Sequence, residues 1–139
     1  MNVNALTRLQ GWGITVLRVV VGMVFLVHGG QKLFVFGLGG VAGFMGQAGF
    51  PAPMLAAVVL TAAEFLGGLA LVLGLFTRWA AIPLAIVMVV AVFVVHLKAG
   101  FFLPDGYEFA LTLLGANVAL ALLGSGEASV DGVLEKRRA

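Results

Sequence analysis

The chain has 139 residues, 62% of them hydrophobic and 10% charged, and a formal net charge of +2 at pH 7. Soluble domains are about 45–50% apolar and about 25% charged, so this composition excludes an ordinary soluble domain and indicates an integral membrane protein. The few basic residues give no reason to expect a nucleic-acid partner. The chain has no cysteine, which removes thiolate nucleophiles and cysteine-ligated iron–sulfur clusters from the chemistry available within it.

Four apolar segments predict an all-α membrane protein, an antiparallel bundle of four transmembrane helices forming one domain over residues 1–139. They cover about residues 14–36, 54–76, 79–97 and 107–123. Each approaches the roughly 20 residues that a helix needs to cross the lipid bilayer. The first also resembles a signal peptide, but Arg18 interrupts its apolar run and no small-residue cleavage site follows. We therefore interpret it as a retained helix.

The connections between these segments differ in character. Residues 37–53 are apolar and rich in glycine, and four residues recur at helical spacing: Val41, Phe44, Met45 and Ala48. This spacing favours a short helix in the membrane interface, with an irregular loop as the alternative. Segments two and three are joined by little more than Thr77 and Arg78. From residue 125 onward the chain is polar, which predicts a solvated C-terminal tail over residues 125–139.

The distribution of basic residues predicts the orientation. With four spans both termini lie on one side, which would carry Arg8, Arg78, Lys136, Arg137 and Arg138. The opposite side would carry Lys32 and Lys98. Because basic loops stay on the cytoplasmic side, we expect cytoplasmic termini in a bacterial plasma (inner) membrane.

Glu64 lies near the middle of the second apolar segment. A carboxylate at bilayer depth costs about 2.5–3.5 kcal/mol on insertion scales and usually faces a partner inside the bundle. Arg18 belongs to a stripe of small and polar residues on the first segment that includes Gly22 and Gly29. We expect an Arg18–Glu64 ion pair, with Asn117 completing its hydrogen bonds. The pair is either functional or a structural bridge that fixes helix register.

A second polar cluster is expected at the other mouth of the bundle, where the segments begin and end. We predict a ligand cavity that opens outward and is lined by six residues: His28, Gln31, Lys32, His96, Tyr107 and Glu108. The histidines have an alternative role as interfacial residues, and Lys32 as a side chain reaching the lipid head groups. No spacing typical of a metal site is present, so no metal is expected.

The ordered set of motifs resembles the DoxX family over nearly the whole chain. The matching residues are Arg18, His28-Gly29-x-x-Lys32, Gly49-Phe50-Pro51, Ala63-Glu64-x-x-Gly67-Gly68, Leu75-x-Thr77-Arg78, His96, Gly106-Tyr107-Glu108 and Gly124-x-Gly126…Ser129-x-Asp131. The resemblance implies a small bacterial inner-membrane protein with four helices. It also implies a membrane subunit or anchor of a redox system, linked to quinones or to oxidative stress, in the manner of an oxidoreductase subunit.

No self-contained catalytic motif accompanies this resemblance, and no catalytic residue is predicted. The sequence has no haem, flavin or iron–sulfur signature, so a quinone is the cofactor or substrate we consider. Its carbonyl oxygens would meet His28 or Lys32, with Glu64 or Glu108 as proton acceptor. A small-solute binding, transport or detoxification protein and a purely structural membrane partner are the alternatives. The expected partners are the bilayer, a redox partner protein and a second copy of the chain.

Overall fold

The computed structural model describes residues 3–138, and this part of the chain is helical with no strand. Its six α-helices are α1 Val3–Gln31, α2 Gly37–Gln47, α3 Pro53–Leu73, α4 Thr77–Val90, α5 Glu108–Leu123 and α6 Val130–Arg138. A π-helical turn, Lys32–Phe36, follows α1, and a second one, Ala91–His96, follows α4. The 3₁₀ turn Leu97–Ala99 then leads into the loop before α5.

Three helical stretches of the described chain are long and apolar enough to cross a membrane. They are Val3–Gln47, which runs from α1 through α2, then Pro53–Leu73, and Thr77–Ala99, which combines α4 with its π and 3₁₀ turns. The predicted fourth segment forms α5, an apolar helix of 16 residues, shorter than these three. The helical membrane class predicted from composition is therefore confirmed, with three helices meeting the length criterion.

The segment after the first apolar stretch is a helix and not an irregular loop. Helix α2 begins at Gly37, whose positive φ of 67° turns the chain after the π-helical turn. The spacing noted in the sequence is realised, because Val41 and Met45 are buried and pack with Ala57 of α3 in a small apolar cluster. Helix α2 therefore folds back against α3.

Helices α1 and α3 pack antiparallel in close backbone contact at glycines. A Cβ atom on Gly22 would lie 2.8 Å from the backbone nitrogen of Val72, and one on Gly29 would lie 2.7 Å from Cα of Phe65. A Cβ atom on Gly68 would overlap the backbone nitrogen of Leu26. Small residues allow such contact in membranes, where van der Waals packing and not the hydrophobic effect holds helices together.

The C-terminal segment is docked against the bundle, so the prediction of a merely solvated tail is wrong for its first residues. The backbone N–H of Glu127 donates to Gly11 O at 3.1 Å, and that of Asp131 donates to Gly74 O at 2.9 Å. The Asp131 carboxylate accepts hydrogen bonds from the N–H groups of Phe76 and Thr77, at 2.8 and 3.0 Å. It thereby satisfies free donors at the start of α4. We call this region, where the C-terminal segment meets the N-terminal part of α1, the termini end of the bundle.

We expect Gly68→Ala to destabilise the protein by about 1–3 kcal/mol, the range for overpacking a filled interface. Gly115→Ala is the matched control, because a Cβ atom there meets nothing within 4 Å. Alanine should stabilise that helix by about 0.5–1 kcal/mol. Thermal unfolding of both variants in detergent measures the difference. Equal unfolding temperatures for the two variants would contradict the close α1–α3 packing.

We expect Asp131→Ala to lower stability by about 0.5–2 kcal/mol, as the loss of a helix N-cap does. Glu135→Ala is the control, since Glu135 lies exposed on the same helix α6. The unfolding temperature in detergent should fall for the first variant only. If the docked tail made no contribution to stability, both variants would unfold at the same temperature as the parent protein.

Candidate functional site

A cavity of about 670 Å³ lies at the end of the bundle opposite the termini, and we call this the cavity end. All the helices from α1 to α5 contribute to its wall, together with the loop that precedes α5. Most lining side chains are apolar, among them Phe25, Leu60, Val87, Met88, Phe109 and Leu113. The polar side chains in its wall are His28, Lys32, Glu64, His96 and Asp105. The cavity is thus an apolar space, and we call these five polar side chains together its polar region.

The ion pair in this polar region joins Lys32 to Glu64. Lys32 Nζ donates to Glu64 Oε2 at 2.5 Å, and the exposed fractions of the two side chains are 20% and 6%. Glu64 therefore has a cationic partner inside the bundle, as its position in an apolar helix requires. The prediction that Arg18 pairs with Glu64 is wrong.

Arg18 is instead occupied at the termini end, where its guanidinium donates to backbone carbonyls. Nη1 donates to Leu71 O and to Val72 O, Nε donates to Ser125 O at 2.9 Å, and Nη2 donates to Ala128 O at 2.6 Å. The acceptors belong to the last turn of α3 and to the docked tail. A cation is favourable where the free carbonyls of a helix end converge. Arg18, which is 1% exposed, therefore holds the termini end together.

Asn117 is buried but takes no part in the Lys32–Glu64 pair, so its predicted role in the Glu64 network is also wrong. Its Nδ2 donates to Leu113 O, one turn earlier in α5, at 2.8 Å. Its Oδ1 is buried and has no hydrogen-bond donor within residues 3–138. The side chain follows its own helix backbone because the amide is short and the preceding carbonyl is close.

His28 and His96 both line the cavity. His28 is on α1, and its Nδ1–H donates to Val24 O at 2.8 Å. His96 closes the π-helical turn after α4, and its Nδ1–H donates to Asp105 O at 2.8 Å. Each ring is therefore held by a backbone carbonyl through the same nitrogen.

The other three predicted cavity residues do not line it. Gln31 is exposed on the last turn of α1. The Glu108 carboxylate accepts from the N–H of Leu103 at 2.8 Å, and the Tyr107 ring packs edge-on against Phe101 with centroids 5.4 Å apart. Both contacts fix the loop before α5, which forms one wall of the cavity. Their function is to support that wall, because their side chains are engaged with the loop.

Several cavity residues were not predicted as such. Phe44 and Met45 of α2 and Phe50 after it line the wall. The helical spacing noted in the sequence relates Phe44 to Met45 and does not extend to Phe50. Asp105 also lines it, beside the hydrogen bond that its carbonyl accepts from His96. Glu64, which we predicted in a pair with Arg18 and not among the cavity residues, also lines the cavity, where it pairs with Lys32.

Two of the polar cavity residues belong to π-helical turns. Lys32 begins the first of these turns and His96 ends the second. A π-helical turn widens the helix locally and recurs at functional sites. The helical geometry of the chain after α1 and after α4 is thus widened beside the cavity. Within residues 3–138 no group of three or more metal-ligating side chains is present.

Residues 13–97 match the model of the DoxX family. The chain is 37% identical to "Putative oxidoreductase CatD" of Bacillus subtilis, over 86% of this chain and 84% of that protein. It is 30% identical to "Inner membrane protein YqjF" of Escherichia coli, over 94% of this chain and 98% of that protein. A second protein of Escherichia coli, "Inner membrane protein YphA", is 30% identical over 85% and 87% of the two chains. No solved structure matches the chain.

We expect a double-mutant cycle of Lys32→Met and Glu64→Leu to show a coupling energy of about 0.5–3 kcal/mol in unfolding free energy. Each single change leaves a charge without its partner, whereas the double change replaces both by apolar groups and restores stability. The control cycle combines Arg18→Met with Glu64→Leu. Because these two residues do not touch, their effects should add within about 0.5 kcal/mol. Coupling in the second cycle and not in the first would show that Arg18, and not Lys32, pairs with Glu64.

Proposed function

This chain belongs to the DoxX family of membrane proteins, and on that premise we propose that it is a membrane subunit or anchor of a redox system whose cavity binds the head group of a lipid-soluble quinone. The observation that carries the proposal is the composition of the cavity. An apolar space of about 670 Å³ is lined by the Lys32–Glu64 pair and by two histidines. Sites for small organic ligands combine apolar walls with a few placed polar groups in this way.

The cavity wall also reaches the outer surface of the bundle. Val59 of α3 and Ile86 of α4 line the cavity, yet they are 58% and 59% exposed on the isolated chain. Both belong to helices long and apolar enough to cross a membrane. An apolar tail can therefore leave the cavity between these helices and remain in the hydrocarbon region. This favours a lipid-soluble ligand over a polar solute, for which the wall offers few hydrogen-bonding groups.

The polar residues have separate tasks in this proposal. Lys32 donates a hydrogen bond to an oxygen of the ligand, using the donors that Glu64 leaves free. Glu64 is the proton acceptor, because it alone of the two carboxylates considered lines the cavity; the Glu108 carboxylate is held by Leu103. Lys32 and Glu64 neutralise each other while no ligand is bound, which keeps both charges tolerable among apolar walls.

The finer membrane topology is part of the proposal. Helix α5 has 16 residues, which at 1.5 Å per residue gives about 24 Å, somewhat less than a typical hydrocarbon core. It packs beside α4, and its two ends lie near the cavity loop and near Arg78. We take α5 as a fourth span, which locally thins the bilayer. Both termini are then cytoplasmic in a bacterial inner membrane, where a redox partner protein or a second copy of the chain can bind.

We expect the purified full-length protein to bind a short-chain ubiquinone or menaquinone saturably. Lys32→Met should weaken this binding about 10-fold or more, as the loss of a charge-assisted hydrogen bond does. Glu64→Gln should alter the affinity as well, because it removes the charge that orients Lys32. Titration calorimetry in detergent measures all three proteins.

Gln31→Ala is the control for this titration, because Gln31 neighbours Lys32 in sequence but is exposed and lies outside the cavity wall. It should bind as the parent protein does. Absence of saturable quinone binding, or unchanged affinity in both Lys32→Met and Glu64→Gln, would overturn the proposal and favour the polar-solute or structural alternatives.

A further inference from the structure

The two cavity histidines are fixed in one tautomer by the backbone. Nδ1 of His28 lies 2.8 Å from Val24 O, and Nδ1 of His96 lies 2.8 Å from Asp105 O. A carbonyl oxygen only accepts hydrogen bonds, so each Nδ1 carries the hydrogen. A neutral imidazole has one donor and one acceptor nitrogen. Nε2 of both rings is therefore an acceptor.

These acceptors are available to a ligand. Both rings line the cavity, and within the described residues neither Nε2 has a hydrogen-bond partner. Glu64 adds a third acceptor, because Lys32 engages its Oε2 and its Oε1 has no partner in the same part of the chain. The donor side chain beside these three acceptors is Lys32, whose ammonium keeps two N–H groups once Glu64 has accepted from the third. The lining side chains therefore offer more acceptors than free donors.

The two redox states of a quinone differ in the groups that they present to such a region. The oxidised form has two carbonyl oxygens, which only accept. The reduced form, the hydroquinone, has two hydroxyl groups, which donate. His28 is exposed and His96 half-buried, so each Nε2 is open to water until a ligand covers it. A ligand carbonyl that displaces this water leaves both acceptors unpaired, which is unfavourable. A hydroxyl in the same place pairs with the Nε2.

We propose that the cavity discriminates between the redox states and binds the hydroquinone more tightly, with a ligand hydroxyl donating to Nε2 of His28 or His96. The inference rests on the proposed quinone-binding function and adds the preferred form of the ligand. His28 and His96 are thus specificity-determining residues. Lys32 contacts an oxygen of either form, so its loss weakens binding of both.

The test compares three ligands on the full-length protein in detergent, under argon and at about pH 8, above the ~6.5 reference pKa of histidine. They are a short-chain ubiquinone, its hydroquinone and the dimethyl ether of that hydroquinone, which has no hydroxyl donor. We expect the hydroquinone to bind about tenfold more tightly than the quinone, which corresponds to about 1.4 kcal/mol. The dimethyl ether should not show this gain.

Two variants locate the preference. His28→Phe and His96→Phe keep an aromatic ring and lose the acceptor. The ratio of affinities should therefore fall to about twofold or less in one or both, because the hydroquinone loses its hydrogen-bond acceptor and the quinone does not. Gln31→Ala should keep the full ratio. The comparison on the parent protein remains decisive if a variant fails to fold.

The outcomes separate this inference from the proposed function. Equal affinity for quinone and hydroquinone, or tighter binding of the quinone, overturns the inference and leaves quinone binding intact. A preference that survives in both histidine variants overturns the role of the rings. If none of the three ligands binds, the proposed function fails and the inference fails with it.

Discussion

The close antiparallel packing of α1 against α3 is the constraint on which the rest of the structure depends. Gly22 and Gly68 bring the two backbones together at the middle of the contact, and Gly29 meets Phe65 nearer the cavity. On one side of these glycines Arg18 reaches the last carbonyls of α3. On the other side Lys32 reaches Glu64. A single helix pair therefore places one cation at each end, and both charged groups find partners because the backbones are so near.

The two ends of the bundle are consequently different in kind. At the termini end a buried guanidinium binds backbone carbonyls of α3 and of the tail, and Asp131 binds the first N–H groups of α4. The guanidinium and the carboxylate at this end are both directed at the backbone. At the cavity end the polar groups are side chains that face an apolar space, and two π-helical turns interrupt the helices that carry Lys32 and His96. The division suits a protein that is anchored at one end and binds a ligand at the other.

Local sequence patterns predict much of this arrangement. Apolar length gave the helices to within a few residues at most ends, and the stripe that contains Gly22 and Gly29 indicated the face of α1 that meets a neighbour. The identity of the residue that pairs with Glu64 did not follow from these sequence patterns. The tail that engages Arg18 contains no apolar periodicity, so nothing in its composition indicates that Ser125 and Ala128 offer carbonyls to a buried guanidinium. The π-helical turn at Lys32 also departs from the regular helical spacing on which the predicted stripe of the first segment rests.

The Lys32–Glu64 pair in the cavity wall is the interaction on which the proposed site depends. Solid-state NMR of the full-length protein in lipid bilayers, with ¹⁵N-labelled lysine and ¹³C-labelled glutamate, tests it directly. The account predicts a through-space correlation between Lys32 Nζ and the Glu64 carboxyl carbon, absent in Lys32→Met and altered when a short-chain quinone or its hydroquinone is added. No correlation between these two atoms, together with one between the Arg18 guanidinium and Glu64 in a sample that carries ¹⁵N-labelled arginine, would contradict it.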